Sequence, residues 1–148
     1  MSHAVALLLA IAVGALLPIQ VAMNMNLRAS FRDPVLTALP NFLVGTALVV
    51  AYMLLMRSRL PSLTTLGQVP LWAWLGGVIG ASYVVGSLYL GPKIGATLLL
   101  ALVLAGQMAM SLAVDHYGLL GFPHHPVNLA RLAGAVLLVV GALLIVKN

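Results

Sequence analysis

Five long apolar runs, each closed by a polar or turn-forming link, are the dominant pattern along the chain. A helix rises 1.5 Å per residue, so about 20 apolar residues cross a hydrocarbon core of about 30 Å. The pattern predicts transmembrane helices over about 4–27, 35–56, 71–90, 94–116 and 128–146, forming one five-helix domain over residues 1–148. Barrel strands are excluded, because they need only about 10 residues and alternate in polarity. Asp33-Pro34 in the first link reads as a helix start, with proline at the first helical position. The second link carries Arg57 and Arg59 and runs through turn-forming residues to Pro70. Trp72 and Trp74 open the third run as interfacial anchors. Gly91-Pro92-Lys93 predicts a tight turn, and Gly118 to Val127 a loop holding Pro123, His124, His125 and Pro126. The N-terminal run is too long for a signal peptide and lacks its basic leader, so it is read as the first span.

Composition strengthens this picture. Hydrophobic residues make up 63% of the chain and charged residues 6%, which no soluble domain of this size matches. Cysteine is absent, removing disulfides and thiolate metal sites. The basic residues are scattered among links with no basic run, so nucleic acid is not a partner. Their placement matters more for topology. With five spans, one side of the membrane holds Arg57, Arg59 and Arg131, and the other Arg28, Arg32, Lys93 and Lys147. Such a balance gives the positive-inside rule little to act on. It predicts insertion in both orientations, hence an antiparallel homodimer and a ten-helix inverted repeat. The alternative is a weak single orientation decided by one loop.

The polar residues inside the spans are the candidate chemistry. Pro18 lies four residues after Gly14, so its ring crowds the Gly14 carbonyl and weakens the first helix there. Pro40 does the same in the second. Gln20 and Asn24 are four apart and share a helix face. Carboxamides in hydrocarbon are costly unless hydrogen-bonded, so they should face protein or a wet cavity. Asn41 adds a third. Gly76, Gly80, Tyr83 and Ser87 form one stripe on the third span, where the glycines favour close helix approach and Tyr83 serves either a substrate or a polar network. Gln107, with Ser111 and Asp115 along the same face, is the deepest amide. It lines a cavity or makes an interhelical hydrogen bond. Asp115 sits at a helix end and is expected to pair structurally with Arg131. Gly134 and Gly141, seven apart, form either a dimer seam or a packing face within one subunit. His124-His125 reads as a solvated loop rather than a metal site, and His3 and His116 are no stronger. Glutamate is missing altogether and both aspartates lie at links or span edges, so no carboxylate sits mid-membrane to carry a proton. No nucleophile, phosphate loop or carboxylate pair suggests catalysis, and no cofactor is implied.

Several motifs together resemble the YdcZ-type family of inner-membrane exporters within the drug/metabolite transporter superfamily. They are Gly14-xxx-Pro18-x-Gln20-xxx-Asn24-xx-Leu27, Asn41-Phe-Leu-Val-Gly45-Thr, Trp74-Leu-Gly-Gly77-xx-Gly80, Gly106-Gln107-xxx-Ser111, Asp115-His116-Tyr117-Gly118 and Arg131-Leu-x-Gly134. The resemblance covers nearly the whole chain. It implies a five-helix protein of the bacterial inner membrane, with single members forming dual-topology homodimers. The Gly-x6-Gly spacing of the fifth span also looks like the dimerisation helix of small multidrug resistance exporters. Those carry a glutamate in the first helix, where this chain has Gln20 and Asn24.

The expected function is transport of a small polar solute by alternating access. The cavity would be lined by Gln20, Asn24, Asn41, Tyr83, Gln107 and Ser111, with Pro18 and Pro40 letting two helices bend. The lipid bilayer and a second, antiparallel copy are the expected partners. A dual-topology anion channel and a non-transporting membrane subunit are the alternatives.

Overall fold

The computed structural model describes residues 2–146. Lys147, one of the cations in the charge balance, lies outside them. The described residues are helical with no strand: α1 (His3–Phe31), α2 (Pro34–Leu55), a short α3 (Leu63–Gly67), α4 (Leu75–Ile94), α5 (Ala96–Tyr117) and α6 (Leu129–Val146). A 3-10 turn over Leu71–Trp74 leads into α4. Five stretches are long and apolar enough to cross a membrane, the third comprising that turn and α4. The chain divides between Pro92 and Lys93 into two compact units.

The first unit contains α1, α2 and α4. Ser2 caps α1 by accepting from the Val5 amide. The helix continues through Pro18 and on to Phe31, past the end expected near residue 27. Nothing in Arg28-Ala-Ser-Phe breaks a helix, and the charge of Arg28 is accommodated by a partner on α4. α1 stops at Arg32, whose left-handed backbone (φ 58°) returns its amide to the Arg28 carbonyl at 2.8 Å. Asp33 begins α2 at once: its Oδ1 accepts from the Leu36 amide at 2.8 Å, and Pro34 occupies the first turn. Thr37, fully buried, donates its hydroxyl to the Asp33 carbonyl at 2.6 Å.

The third span departs from expectation at its end. Gly91-Pro92-Lys93 is not a turn; α4 continues through it to Ile94, and the break comes at Gly95, where φ is +81°. A proline near a helix end removes one hydrogen bond, that from residue 92 to the carbonyl of residue 88. The Arg28 guanidinium donates to that same Leu88 carbonyl. The break is thereby satisfied and the helix has no reason to turn. Leu88 is completely buried and joins Ala38 and Val84 in a small core, with Met25, Tyr83 and Val85 packed against it. This core ties α1, α2 and α4 together.

The second unit is the α5–α6 pair and its connecting loop. Gly118 ends α5 in a left-handed conformation (φ +59°), and an added Cβ there would meet His124 Cβ at 3.5 Å. The contact is an ordinary van der Waals distance, so it is the left-handed backbone that favours glycine. Asn128 caps α6 by accepting from the Arg131 amide at 2.9 Å. Leu99 and Ala142 are the buried apolar residues of the pair. Elsewhere large apolar side chains such as Leu8, Ile11, Val44, Leu48 and Leu137 are exposed along every span, as lipid contact requires.

Candidate functional site

The polar centre of the first unit is where α1 and α2 face each other. Gln20 Nε2 donates to Asn41 Oδ1 at 3.5 Å, the outer limit of a hydrogen bond. One turn further along α1, Asn24 is only 5% exposed and has no side-chain partner among the described residues. Gln20, Asn24 and Asn41 line one groove of about 490 Å³ together with Pro40 and apolar side chains including Leu16, Met23 and Val44. On the other flank of the helix pair, Gln20 and Asn41 also border a second groove with Phe42, Gly45 and Thr46. The two amides therefore stand as a partition between two hollows. Pro18 and Pro40 lie inside α1 and α2, each within two residues of that partition.

A carboxamide offers two N–H donors and a carbonyl acceptor. The weak Gln20–Asn41 bond leaves most of that capacity unused. Nearby polar residues behave differently. Asn26 donates to the Ala22 carbonyl, Ser82 to Val78 and Ser87 to Val84, each within its own helix. The two serine hydroxyls are thus spent within α4, and Asn26 is exposed rather than set in an apolar groove.

Tyr83 packs on the Ala38–Val84–Leu88 core, and its hydroxyl is buried without a hydrogen-bond partner. A buried orphan hydroxyl costs about 1–3 kcal/mol, so it calls for an explanation. The Arg28–Leu88 link was not anticipated. Its signal was available: a proline four residues after an apolar residue always frees one carbonyl, and an arginine was at hand to take it.

In the second unit, Gln107 and Ser111 both lie on α5 and both are exposed. Ser111 lines a groove of about 300 Å³ with Met108, Asp115, Arg131, Gly134 and Leu138, while Gln107 is not part of it. Arg131 Nη2 pairs with Asp115 Oδ2 at 3.1 Å, and its Nη1 donates to the His125 carbonyl at 3.1 Å. The His125 amide donates to the Asp115 carbonyl at 2.8 Å, and the Val127 amide to His116 Nδ1 at 3.2 Å. These bonds fasten the loop between α5 and α6 and use up its charged groups. Gly134 and Gly141 have open space where a Cβ would go, so no close approach within the chain requires glycine at either.

No curated protein and no solved structure matches the chain. A family profile described as "putative inner membrane exporter, YdcZ" matches residues 5–144. Five membrane-spanning helices, hydrogen-bonding amides sunk among them and a match over nearly the whole chain agree: this chain belongs to the YdcZ family of the drug/metabolite transporters, as a multi-pass inner-membrane transporter.

Proposed function

We propose that the protein exports a small polar solute by alternating access, and that Gln20, Asn24 and Asn41 form the core of its binding site. The observation that carries this reading is the groove between α1 and α2. Three carboxamides meet there in an apolar setting with most of their hydrogen-bond capacity unspent. Desolvated amides of that kind favour a neutral, zwitterionic or weakly anionic solute, which supplies the missing donors and acceptors. Tyr83, and on the second unit the exposed Gln107 and Ser111, are proposed as further solute contacts. Pro18 and Pro40 supply helix bending next to the amide pair, the motion that would expose it to either side in turn. The five helices act as one transmembrane domain and two copies assemble antiparallel. Several features support this assembly: the near balance of cations across the membrane, the open faces at Gly134 and Gly141, and the few buried positions in a single chain. The Asp115–Arg131 pair serves structure.

Purified protein in liposomes, loaded with a metabolite mixture and assayed by mass spectrometry of vesicle contents, tests the reading. Saturable loss of at least one small polar solute is expected at carrier rather than channel speed. Gln20→Ala should lower that rate about tenfold or more, since it also strands Asn41. Unchanged transport of every solute in both Gln20→Ala and Gln107→Ala would remove the assigned lining.

A further inference from the structure

Another groove, apart from those already described, opens where α1 and α4 end. It measures about 500 Å³ and is lined by Met25, Arg28, Ala29, Arg32, Gly91 and Pro92. Two guanidiniums stand there without a carboxylate. The ion pair found among the described residues is Asp115–Arg131, and the Asp33 carboxylate accepts from the Leu36 amide at the start of α2. The Arg28 guanidinium is held by backbone, and Arg32 is placed beside it by its own backbone with an exposed side chain. Arg28 is anchored through one of its N–H groups on the Leu88 carbonyl that Pro92 leaves free, and a guanidinium has five donors. Arg32 is fixed at the helix end by its left-handed backbone and its amide bond to Arg28. The C-termini of α1 and α4 each bring about half a negative charge, which two full positive charges outweigh.

We infer that this groove binds the phosphate of an anionic phospholipid. The ligand chemistry is a phosphate monoanion, since planar guanidiniums match its oxygens. The lipid source follows from position and lining. The groove lies where two spans leave the hydrocarbon, and Met25, Ala29 and Pro92 give it an apolar wall for which a free phosphate has no use.

The test uses the whole protein in neutral detergent at 0.15 M salt, titrated with phosphatidylglycerol. Retained lipid is read by native mass spectrometry and the shift in melting temperature is read alongside. Phosphatidylglycerol should be retained and should raise the melting temperature, and phosphatidylcholine should do neither. Arg32→Asn removes the charge with a residue that suits a left-handed backbone, and it should weaken phosphatidylglycerol about fivefold or more. Arg57→Gln removes an equal charge from beyond the far end of α2, roughly 30 Å away along a 22-residue helix. It should weaken binding less than about twofold, since salt screens charges beyond about 8 Å. Arg28→Lys keeps the charge and retains folding if Arg32→Asn does not. It should still lose affinity, because an ammonium cannot hold both the Leu88 carbonyl and the phosphate in the same geometry. Equal weakening by Arg32→Asn and Arg57→Gln, or equal retention of phosphatidylcholine, would overturn the site. Inorganic phosphate or glycerol 3-phosphate displacing the lipid at millimolar concentration would overturn the lipid source and assign the groove to a soluble anion.

Discussion

The α1–α2 contact and the α5–α6 contact are both made by apolar helices, yet they treat their polar side chains in opposite ways. Between α5 and α6 the charged and loop-side polar groups sit at the membrane edge and are spent on one another: Asp115 on Arg131, His116 on the Val127 amide, Asn128 on the Arg131 amide. Between α1 and α2 the polar groups sit well inside the spans, and one long hydrogen bond is all that joins three carboxamides. Polarity that is fully used builds a joint. Polarity that is left over, where no water competes, is what a binding site needs. The contrast therefore separates residues whose loss should cost stability from residues whose loss should cost transport.

The largest stability effect is expected at neither pair but at the Arg28–Leu88 bond between α1 and α4. Arg28→Met should lower unfolding free energy by about 1–3 kcal/mol, because the fully buried Leu88 keeps a carbonyl with no donor. The control is Pro92→Ala, which restores an amide hydrogen four residues along. In the double variant most of the loss should be recovered, a coupling readable from four melting curves. If Arg28→Met costs the same with and without Pro92, the arginine is not serving the carbonyl that the proline frees.

A smaller loss is expected in the α5–α6 joint. Arg131→Ala removes the ion pair to Asp115 and the bond to the His125 carbonyl. The pair is about one-third exposed on its arginine side (36%) and 26% exposed at Asp115, so solvent screens it and the combined cost should be about 1–2 kcal/mol. Transport per folded molecule should stay within about twofold of the parent. A tenfold loss of transport with unchanged melting would mean that this joint belongs to the transport cycle, and the contrast between the two helix pairs would fail.

Much of this organisation was legible in the residues, and the failures share a cause. Span number and type followed from run length, because hydrocarbon thickness leaves few alternatives. The start of α2 followed from Asp33-Pro34, since capping is chemistry between neighbours. The ends of α1 and α4 did not follow, because each depends on the other. Arg28 reads as a polar link until Leu88 is there to receive it, and Pro92 reads as a stop until Arg28 is there to mend it. The same limit applied at the amides. Gln20 and Asn41 each stood out as misplaced in an apolar run. That they face each other is a matter of helix register between two segments, which no single run encodes. Asn24, one turn from Gln20, was placed correctly on its face because that relation is internal to one helix.

Tyr83 gives the finest test of the comparison, with the smallest expected effect. Its hydroxyl is buried in the first unit with no partner, although the serines beside it on α4 have found one. A purely structural tyrosine in that position is a poor choice, since phenylalanine fills the same space without an orphan oxygen. Tyr83→Phe should therefore leave the melting temperature unchanged or raise it slightly, with a gain of about 1 kcal/mol, the low end of an orphan hydroxyl's cost. If the hydroxyl is kept for the solute, the same change should lower transport by about three- to tenfold, the worth of one neutral hydrogen bond. Lower stability with unaltered transport would mean that the hydroxyl is spent on the protein itself. Unspent polarity would then mark a site only at the α1–α2 amides.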